Sequence, residues 1–142
     1  MDKKKIILVS HGKLSAGMIH SIQMIIGENE DVSSMGMMLG EHYQPMVDAV
    51  EEKLKENPDT QYVVVADLTG GSVCNGMTSL LHYPNMKLVA GMNMGLVINL
   101  VLSPGVLSDD EIDTKVAEAN AINKRIRPEA LTEGGSGEED FF

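Results

Sequence analysis

The sequence predicts an α/β fold, a three-layer sandwich in which a mainly parallel sheet carries helices on both faces. Apolar runs typical of strands alternate along the chain with segments of helical periodicity, which is the order that βαβ units produce. Three consecutive valines, Val63 to Val65, indicate a strand covered on both faces. With 142 residues, 43% of them hydrophobic, the chain is long enough for one domain with its own core.

The first half of the chain supplies two strands and two helices. The apolar run Ile6 to Val9 predicts a strand that ends at His11. Apolar residues then recur at helical spacing, and Gly27 is a natural helix stop; they are Leu14, Met18, Ile22 and Ile25. A second strand is predicted over residues 32–39. A second helix is predicted over residues 43–56, with Pro45 in its first turn.

The second half repeats the alternation. Residues 61–67 are the clearest strand, and Ser72 is placed to cap a helix that ends near Tyr83 and Pro84. Residues 86–91 predict a fourth strand and residues 94–102 a short apolar helix. Ser108 and Glu111 have the spacing of a capping box for a last helix.

A short terminal strand is expected over residues 125–131, either antiparallel to the others or exchanged with a second chain. The glycine-, serine- and acid-rich residues 132–142 predict a flexible acidic tail. The sequence therefore predicts one folded domain over residues 1–131, followed by that tail.

Composition excludes several classes of function. A formal net charge of −10 argues against nucleic acid as a partner, because binding to a phosphate backbone needs a basic surface. A single cysteine, Cys74, excludes an intrachain disulfide and fits a reducing cytoplasm. The apolar run after residues 1–5 is too short for a signal-peptide core, and residues 88–102 are too few and too often interrupted to span a membrane. We therefore expect a cytoplasmic protein.

Two polar groups follow two of the predicted strands. His11 ends the first strand, and Asp67 ends the third, where it leads into the turn Thr69, Gly70, Gly71 and Ser72. Ligands of open parallel sheets sit at the carboxyl ends of the strands, where the direction of winding reverses. The sequence therefore places a histidine, a carboxylate and a glycine-rich turn in reach of one another.

These groups suit a phosphohistidine. A neutral imidazole is a nucleophile near pH 7, Asp67 can fix its tautomer, and the N–H groups and hydroxyls of the turn favour an anion. The sequence has no Walker-type motif and no carboxylate cluster for magnesium, so the phosphoryl donor is expected to be another protein. No cofactor is expected. No metal is expected either, because no third ligand has a spacing that brings it to His11 and Asp67.

The same residues also have a plain structural interpretation. His11 can satisfy a neighbouring carbonyl, Asp67 can cap a turn, and the two glycines can merely reverse the chain. His20, His42 and His82 are interpreted as surface or packing residues.

The motifs resemble a known family. The stretch from Ile6 to Gly12, followed by Asp67 to Ser72 and Asn75, looks like the EIIA domain of the mannose family in the bacterial phosphoenolpyruvate:sugar phosphotransferase system. The similarity runs from about Lys4 to about Leu102. Val73 departs from it, because the family often has proline after the serine.

The resemblance implies a phosphoryl carrier. The histidine matching His11 would accept the phosphoryl group from HPr and pass it to EIIB, and the membrane components EIIC and EIID would carry the sugar. Asp67 matches the family's active-site aspartate, and Thr69, Gly70, Gly71 and Ser72 match its anion-facing turn. The family also forms homodimers, commonly by exchanging a C-terminal strand, which would assign residues 125–131 to a subunit interface.

Two alternatives remain open on the sequence. One is the phosphotransfer subunit of a dihydroxyacetone kinase, a carrier of the same architecture. The other is a non-catalytic module on a flavodoxin-like fold that recognises a small anion or another protein.

Overall fold

The computed structural model describes residues 1–129, and it confirms the predicted α/β class. Its sheet has four parallel strands in the order β2-β1-β3-β4, which are β1 (Lys3–His11), β2 (Val32–Met37), β3 (Thr60–Ala66) and β4 (Met86–Ala90). Over the described residues five α-helices accompany the sheet: α1 (Leu14–Ile26), α2 (Gln44–Glu56), α3 (Ser72–Met77), α4 (Met94–Leu102) and α5 (Asp109–Ala121).

The helices form two layers because side chains alternate along each strand. Ile7 and Val9 of β1 pack in the core that α2 and α3 cover. Ile6 and Leu8 pack in the opposite core, which α1, α4 and α5 cover. The valines of β3 divide between the two cores in the same way, so both faces of the central strands are buried.

The direction of winding reverses between β1 and β3. From β1 the chain first adds β2 on one side, and then it crosses back to place β3 on the other side of β1. The loops that follow β1 and β3 therefore leave the sheet in opposite directions and open a crevice at their carboxyl ends. His11 and Asp67 lie at that point.

Several predicted boundaries are confirmed closely. The helix over residues 94–102 forms as predicted, and Gly27 ends α1 with φ of 79°. Ser108 and Glu111 form the predicted capping box at the start of α5. Cys74 is buried.

The apolar stripe predicted for α1 is partly wrong. Ile22 is buried and Met18 is half-buried, but Leu14 is exposed and Ile25 lies at the surface. The buried face of α1 instead includes Ser15, a polar residue at the first turn. Leu14 is the first residue of α1, and it is 51% exposed.

The helix predicted from Ser72 to about Tyr83 is shorter than expected. α3 ends at Met77 and continues as a 3₁₀ turn over Thr78–Leu80. Ser72 does not cap it, because Gly71 holds the cap position and Ser72 is the first helical residue. The hydroxyl of Ser72 is directed instead towards His11.

The strand predicted over residues 125–131 does not form in its described part. Residues 123–127 have no regular structure, and the chain turns helical at Pro128 and Glu129. Proline has no N–H to donate to a sheet but suits a first helical turn, which explains the outcome. The last two residues of that predicted strand and the predicted tail, 132–142, lie outside the described residues.

Candidate active site

His11 and Asp67 meet because β1 and β3 are paired neighbours. Val9 lies opposite Ala66 in the register, and the backbone N–H of Asp67 donates to the Val9 carbonyl at 3.1 Å. Nδ1 of His11 lies 2.7 Å from Oδ2 of Asp67. The same oxygen accepts the backbone N–H of His11 at 2.8 Å. One carboxylate oxygen thus fixes both the ring and the backbone of His11.

The Asp67 carboxylate is held in its ionised form. Burial acts to raise the pKa of Asp67, but the N–H and imidazole of His11 and the N–H of Leu68 together lower it below its ordinary value of 3.8. Leu68 donates to the second carboxylate oxygen at 3.0 Å. Because an ionised carboxylate only accepts hydrogen bonds, Nδ1 of His11 carries the proton.

The other ring nitrogen of His11 lies beside Ser72. The imidazole is 45% exposed, whereas the Asp67 side chain is 4% exposed. Oγ of Ser72 lies 3.3 Å from Nε2 of His11. With the proton on Nδ1, the lone pair of the neutral ring is on Nε2, next to that hydroxyl.

The glycine-rich turn approaches the ring closely. Gly70 has φ of 79°, a conformation that side chains rarely adopt, and a Cβ on Gly71 would lie 3.3 Å from Cε1 of His11. Asn75 holds the turn, because its side chain donates to the Gly70 carbonyl and its backbone N–H to the Gly71 carbonyl. Thr69 lies in the exposed part of the same turn.

Two contacts at the site were missed by the sequence analysis. Gly36 of β2 lies against the carbonyl of Gly12, where any side chain would overlap that oxygen. The N–H of Met92, after β4, donates to the Asp67 carbonyl at 3.1 Å. The available signal was the glycine inside the β2 run, because such a residue often marks a close approach of backbone.

The remaining histidines do not join the site. His20, His42 and His82 are all exposed, and none of them has a hydrogen bond to His11 or Asp67. Within residues 1–129, no group of three His, Cys, Asp or Glu side chains is arranged to hold a metal ion. No helix in the same range is long and apolar enough to cross a bilayer.

Fold and site together define the chain as a doubly wound α/β protein with a carboxylate-bound, exposed imidazole at its switch point. A family model described as EIIA-man, PTS system fructose IIA component, matches residues 5–120. The chain belongs to this family, as its motifs indicated, and it is an EIIA component of a sugar phosphotransferase system.

Individual relatives agree with this assignment. The sorbose-specific EIIA component of Klebsiella pneumoniae is 28% identical over 107 residues, which are 75% of this chain and 78% of that protein. The structure of a mannose/sorbose-specific IIA subunit from Enterococcus faecalis superposes with a TM-score of 0.71 at 30% identity, covering 89% of this chain and 97% of that one.

A further solved structure shares the fold. The PTS IIA protein associated with the fucose utilization operon of Streptococcus pneumoniae has a TM-score of 0.75 at 24% identity, covering 87% of this chain and 93% of that one.

Proposed function

We propose that His11 is a transient phosphoryl acceptor, which takes the group from phosphorylated HPr and passes it to an EIIB component during sugar uptake. The observation that carries this proposal is the asymmetry of the imidazole. Asp67 binds Nδ1 at 2.7 Å, Nε2 lies 3.3 Å from the hydroxyl of Ser72, and the His11 side chain as a whole is 45% exposed. The nitrogen that bonds to phosphorus is therefore Nε2.

The transfer balances without a cofactor. The Nε2 lone pair of His11 forms the new N–P bond, and the electron pair of the broken N–P bond returns to the donor histidine. The proton stays on Nδ1, so the ring gains positive charge as phosphorus bonds to it. Asp67 stabilises that charge, since its carboxylate is ionised and already hydrogen-bonded to Nδ1.

The turn after β3 is proposed to receive the phosphoryl oxygens. Ser72 lies beside Nε2, and the absence of a side chain on Gly71 leaves room next to Cε1 of the ring. Gly70 and Thr69 complete an exposed turn whose position Asn75 fixes. Hydroxyl and backbone N–H groups held in advance are how proteins stabilise a transferring phosphoryl group.

An open site suits a protein donor and a protein acceptor. The His11 side chain is 45% exposed at the end of β1. A phosphohistidine presented on a partner's surface can therefore reach the imidazole. We place the protein in the cytoplasm, where these partners act, with the membrane components EIIC and EIID as its indirect partners and a homodimer as its expected form.

Phosphorylation of a histidine variant tests the proposal. Wild-type protein incubated with phosphoenolpyruvate, Enzyme I and HPr is expected to gain the mass of one phosphoryl group, in an acid-labile and base-stable linkage. His11→Ala should gain none, while His82→Ala, which removes an exposed histidine just before the start of β4, should be labelled as the wild type is. Undiminished labelling of His11→Ala would refute the assignment.

The acceptor is tested with the labelled protein. Transfer to an EIIB component, and not to the nucleotide-bearing subunit of a dihydroxyacetone kinase, is the expected result. Transfer to the kinase subunit alone would instead identify the chain as the phosphotransfer subunit of a dihydroxyacetone kinase. Saturable binding of an anion with no covalent label would instead indicate a binding module.

A further inference from the structure

The helix that follows His11 is α1, and the side chain at its N-cap position does not cap it. Lys13 holds the N-cap position of α1 and its side chain makes no capping hydrogen bond. The first N–H groups of a helix have no partner within the helix, so they need an acceptor from elsewhere. The acceptor for Ser15, the second helical residue, comes from the strand before the turn.

Ser10 supplies that acceptor. Its Oγ accepts the backbone N–H of Ser15 at 2.9 Å and lies 2.9 Å from Oγ of Ser15, to which it donates. Oγ of Ser15 in turn donates to the Met35 carbonyl of β2 at 3.0 Å. Ser10 is 0% exposed and Ser15 is 1% exposed, so water does not compete for these bonds.

The chain of hydrogen bonds encloses the turn that carries His11. It joins the end of β1, the first turn of α1 and the backbone of β2, and residues 11–14 span the gap between its first two members. The turn itself contains Gly12 at φ of 57°, so its own residues restrain it little. The N–H of Gly12 adds one further bond to β2, through the Met37 carbonyl at 2.7 Å.

We infer that Ser10 and Ser15 are positioning residues for His11. Asp67 binds the backbone N–H and Nδ1 of His11 with one oxygen, which requires a fixed relation between the backbone of residue 11 and its ring. The two serines fix that backbone from the side opposite to Asp67. Their effect on phosphoryl transfer rests on the proposed function, whereas their effect on the imidazole does not.

The direct readout is the protonation of the unphosphorylated ring. Nitrogen-15 chemical shifts of His11 are expected to show the proton on Nδ1 in the wild-type protein. In Ser10→Ala the helix N–H of Ser15 loses its acceptor, the turn shifts, and the two tautomers of His11 become mixed. Ser15→Ala keeps that acceptor but breaks the link to Met35, so a smaller change in the same direction is expected.

The kinetic readout is transfer from phosphorylated HPr. Misplacement of a reacting group by about 1 Å can cost on the order of 100-fold in rate, and we expect Ser10→Ala to lower the rate constant by roughly 10- to 100-fold with the KM for HPr unchanged. Adding Ser15→Ala to Ser10→Ala should cost little more, because both residues act through one chain of bonds.

Ser103→Ala is the matched control. Ser103 is also buried, and its hydroxyl, like that of Ser15, donates to a backbone carbonyl, here that of Asn99, but it lies near Lys4 at the opposite end of the sheet. Its loss should destabilise the fold while the tautomer of His11 and the rate constant stay as in the wild type.

The possible results distinguish a failure of the positioning role of the two serines from a failure of the proposed function. An unchanged His11 spectrum and rate in both serine variants overturns the inference, and so does an equal loss in Ser103→Ala. If Ser10→Ala fails to fold, the spectrum of Ser15→Ala decides. Failure of the wild-type protein to accept a phosphoryl group would overturn the proposed function and leave the tautomer result as the test of positioning.

Discussion

One oxygen of Asp67 makes the two ring nitrogens of His11 unequal. Oδ2 accepts both the backbone N–H and the Nδ1 proton of His11, and Leu68 binds the other oxygen. The ring can neither turn over nor move its proton without breaking one of these bonds. The ring nitrogen that keeps its lone pair is therefore fixed by a residue 56 positions further along the chain.

Asp67→Asn is expected to slow phosphoryl transfer by on the order of 100-fold or more, because an amide that donates to Nδ1 places the ring proton on Nε2 and removes the nucleophilic lone pair. Rapid-quench measurement of transfer from phosphorylated HPr tests this. Asp109→Asn is the control, since Asp109 pairs with Lys87 on an exposed surface away from the site. An Asp67→Asn rate within twofold of the wild type would contradict the assigned role.

The lowered pKa of Asp67 has a consequence for stability. A carboxyl whose pKa is lower in the folded state stabilises that state fully above its unfolded value, here 3.8, and the contribution is lost as pH falls through the lower, folded pKa. The wild type should therefore exceed Asp67→Asn in its free energy of unfolding at pH 7, and the difference should shrink below pH 3.8. Urea denaturation of both proteins across this range measures it. A difference that grows in acid would show the opposite sign of the shift.

At the scale of elements, β2 supports the site through the absence of a side chain. Gly36 lies against the carbonyl of Gly12, and both flank the turn that carries His11. Gly36→Ala cannot be accommodated without moving that turn. We expect it to lower the free energy of unfolding by about 1–3 kcal/mol, the usual cost of overpacking, and to slow phosphorylation of His11.

Gly17→Ala is the paired control for Gly36→Ala. Gly17 lies within α1 and a Cβ there would meet nothing within 4 Å. Alanine is a better helix former than glycine by about 1 kcal/mol, so this variant should be more stable and equally reactive. Thermal unfolding and the labelling assay together distinguish the two glycines. Equal behaviour of both variants would show that the contact at Gly12 has no effect.

The sequence predicted most elements because their signals are local. The valines of β3, the capping box of α5 and the glycine after α1 each act within a few residues, and each is confirmed. The errors lie where tertiary contacts decide. The side chain of Ser72 is suited to capping a helix. Its hydroxyl lies 3.3 Å from Nε2 of His11 instead, and Gly71 holds the N-cap position of α3.

The same division applies to the candidate site. His11 and Asp67 could be found from the sequence because each follows an apolar run, and parallel strands bring such ends together. Ser10 and Ser15 could not be found, because their bonds depend on how α1 packs against β1 and β2. The only local sign was a serine, Ser10, directly after the apolar run Ile6 to Val9.

At the scale of the whole molecule, Gln61 joins the sheet to the segment between α4 and α5. Its buried amide donates to the Leu107 carbonyl at 2.8 Å and accepts the Leu107 N–H at 2.9 Å. Gln61→Leu should destabilise the fold by about 1–3 kcal/mol for each backbone group it leaves unpaired. The labelling rate per folded molecule should not change, because Gln61 lies near the start of β3 and Asp67 follows its end.

Gln44→Leu is the control for that prediction, since Gln44 is exposed and its side-chain amide donates only to the side chain of Asp48 on α2. Its effect on the free energy of unfolding should stay within about 0.5 kcal/mol. Urea denaturation compares the two glutamine variants. A similar small effect at Gln61 would show that the segment after α4 is held by its apolar contacts alone.

Because β1 pairs with β3, the contact between His11 and Asp67 forms late in the synthesis and folding of the chain. A nascent chain that has been translated only as far as α2 already contains the imidazole of His11, but Asp67 has not yet been added to it. Contacts between distant positions also form slowly during folding, since a long loop must close first. On the proposed function, only chains in which β1 and β3 have paired hold the imidazole of His11 against Asp67 for phosphoryl transfer.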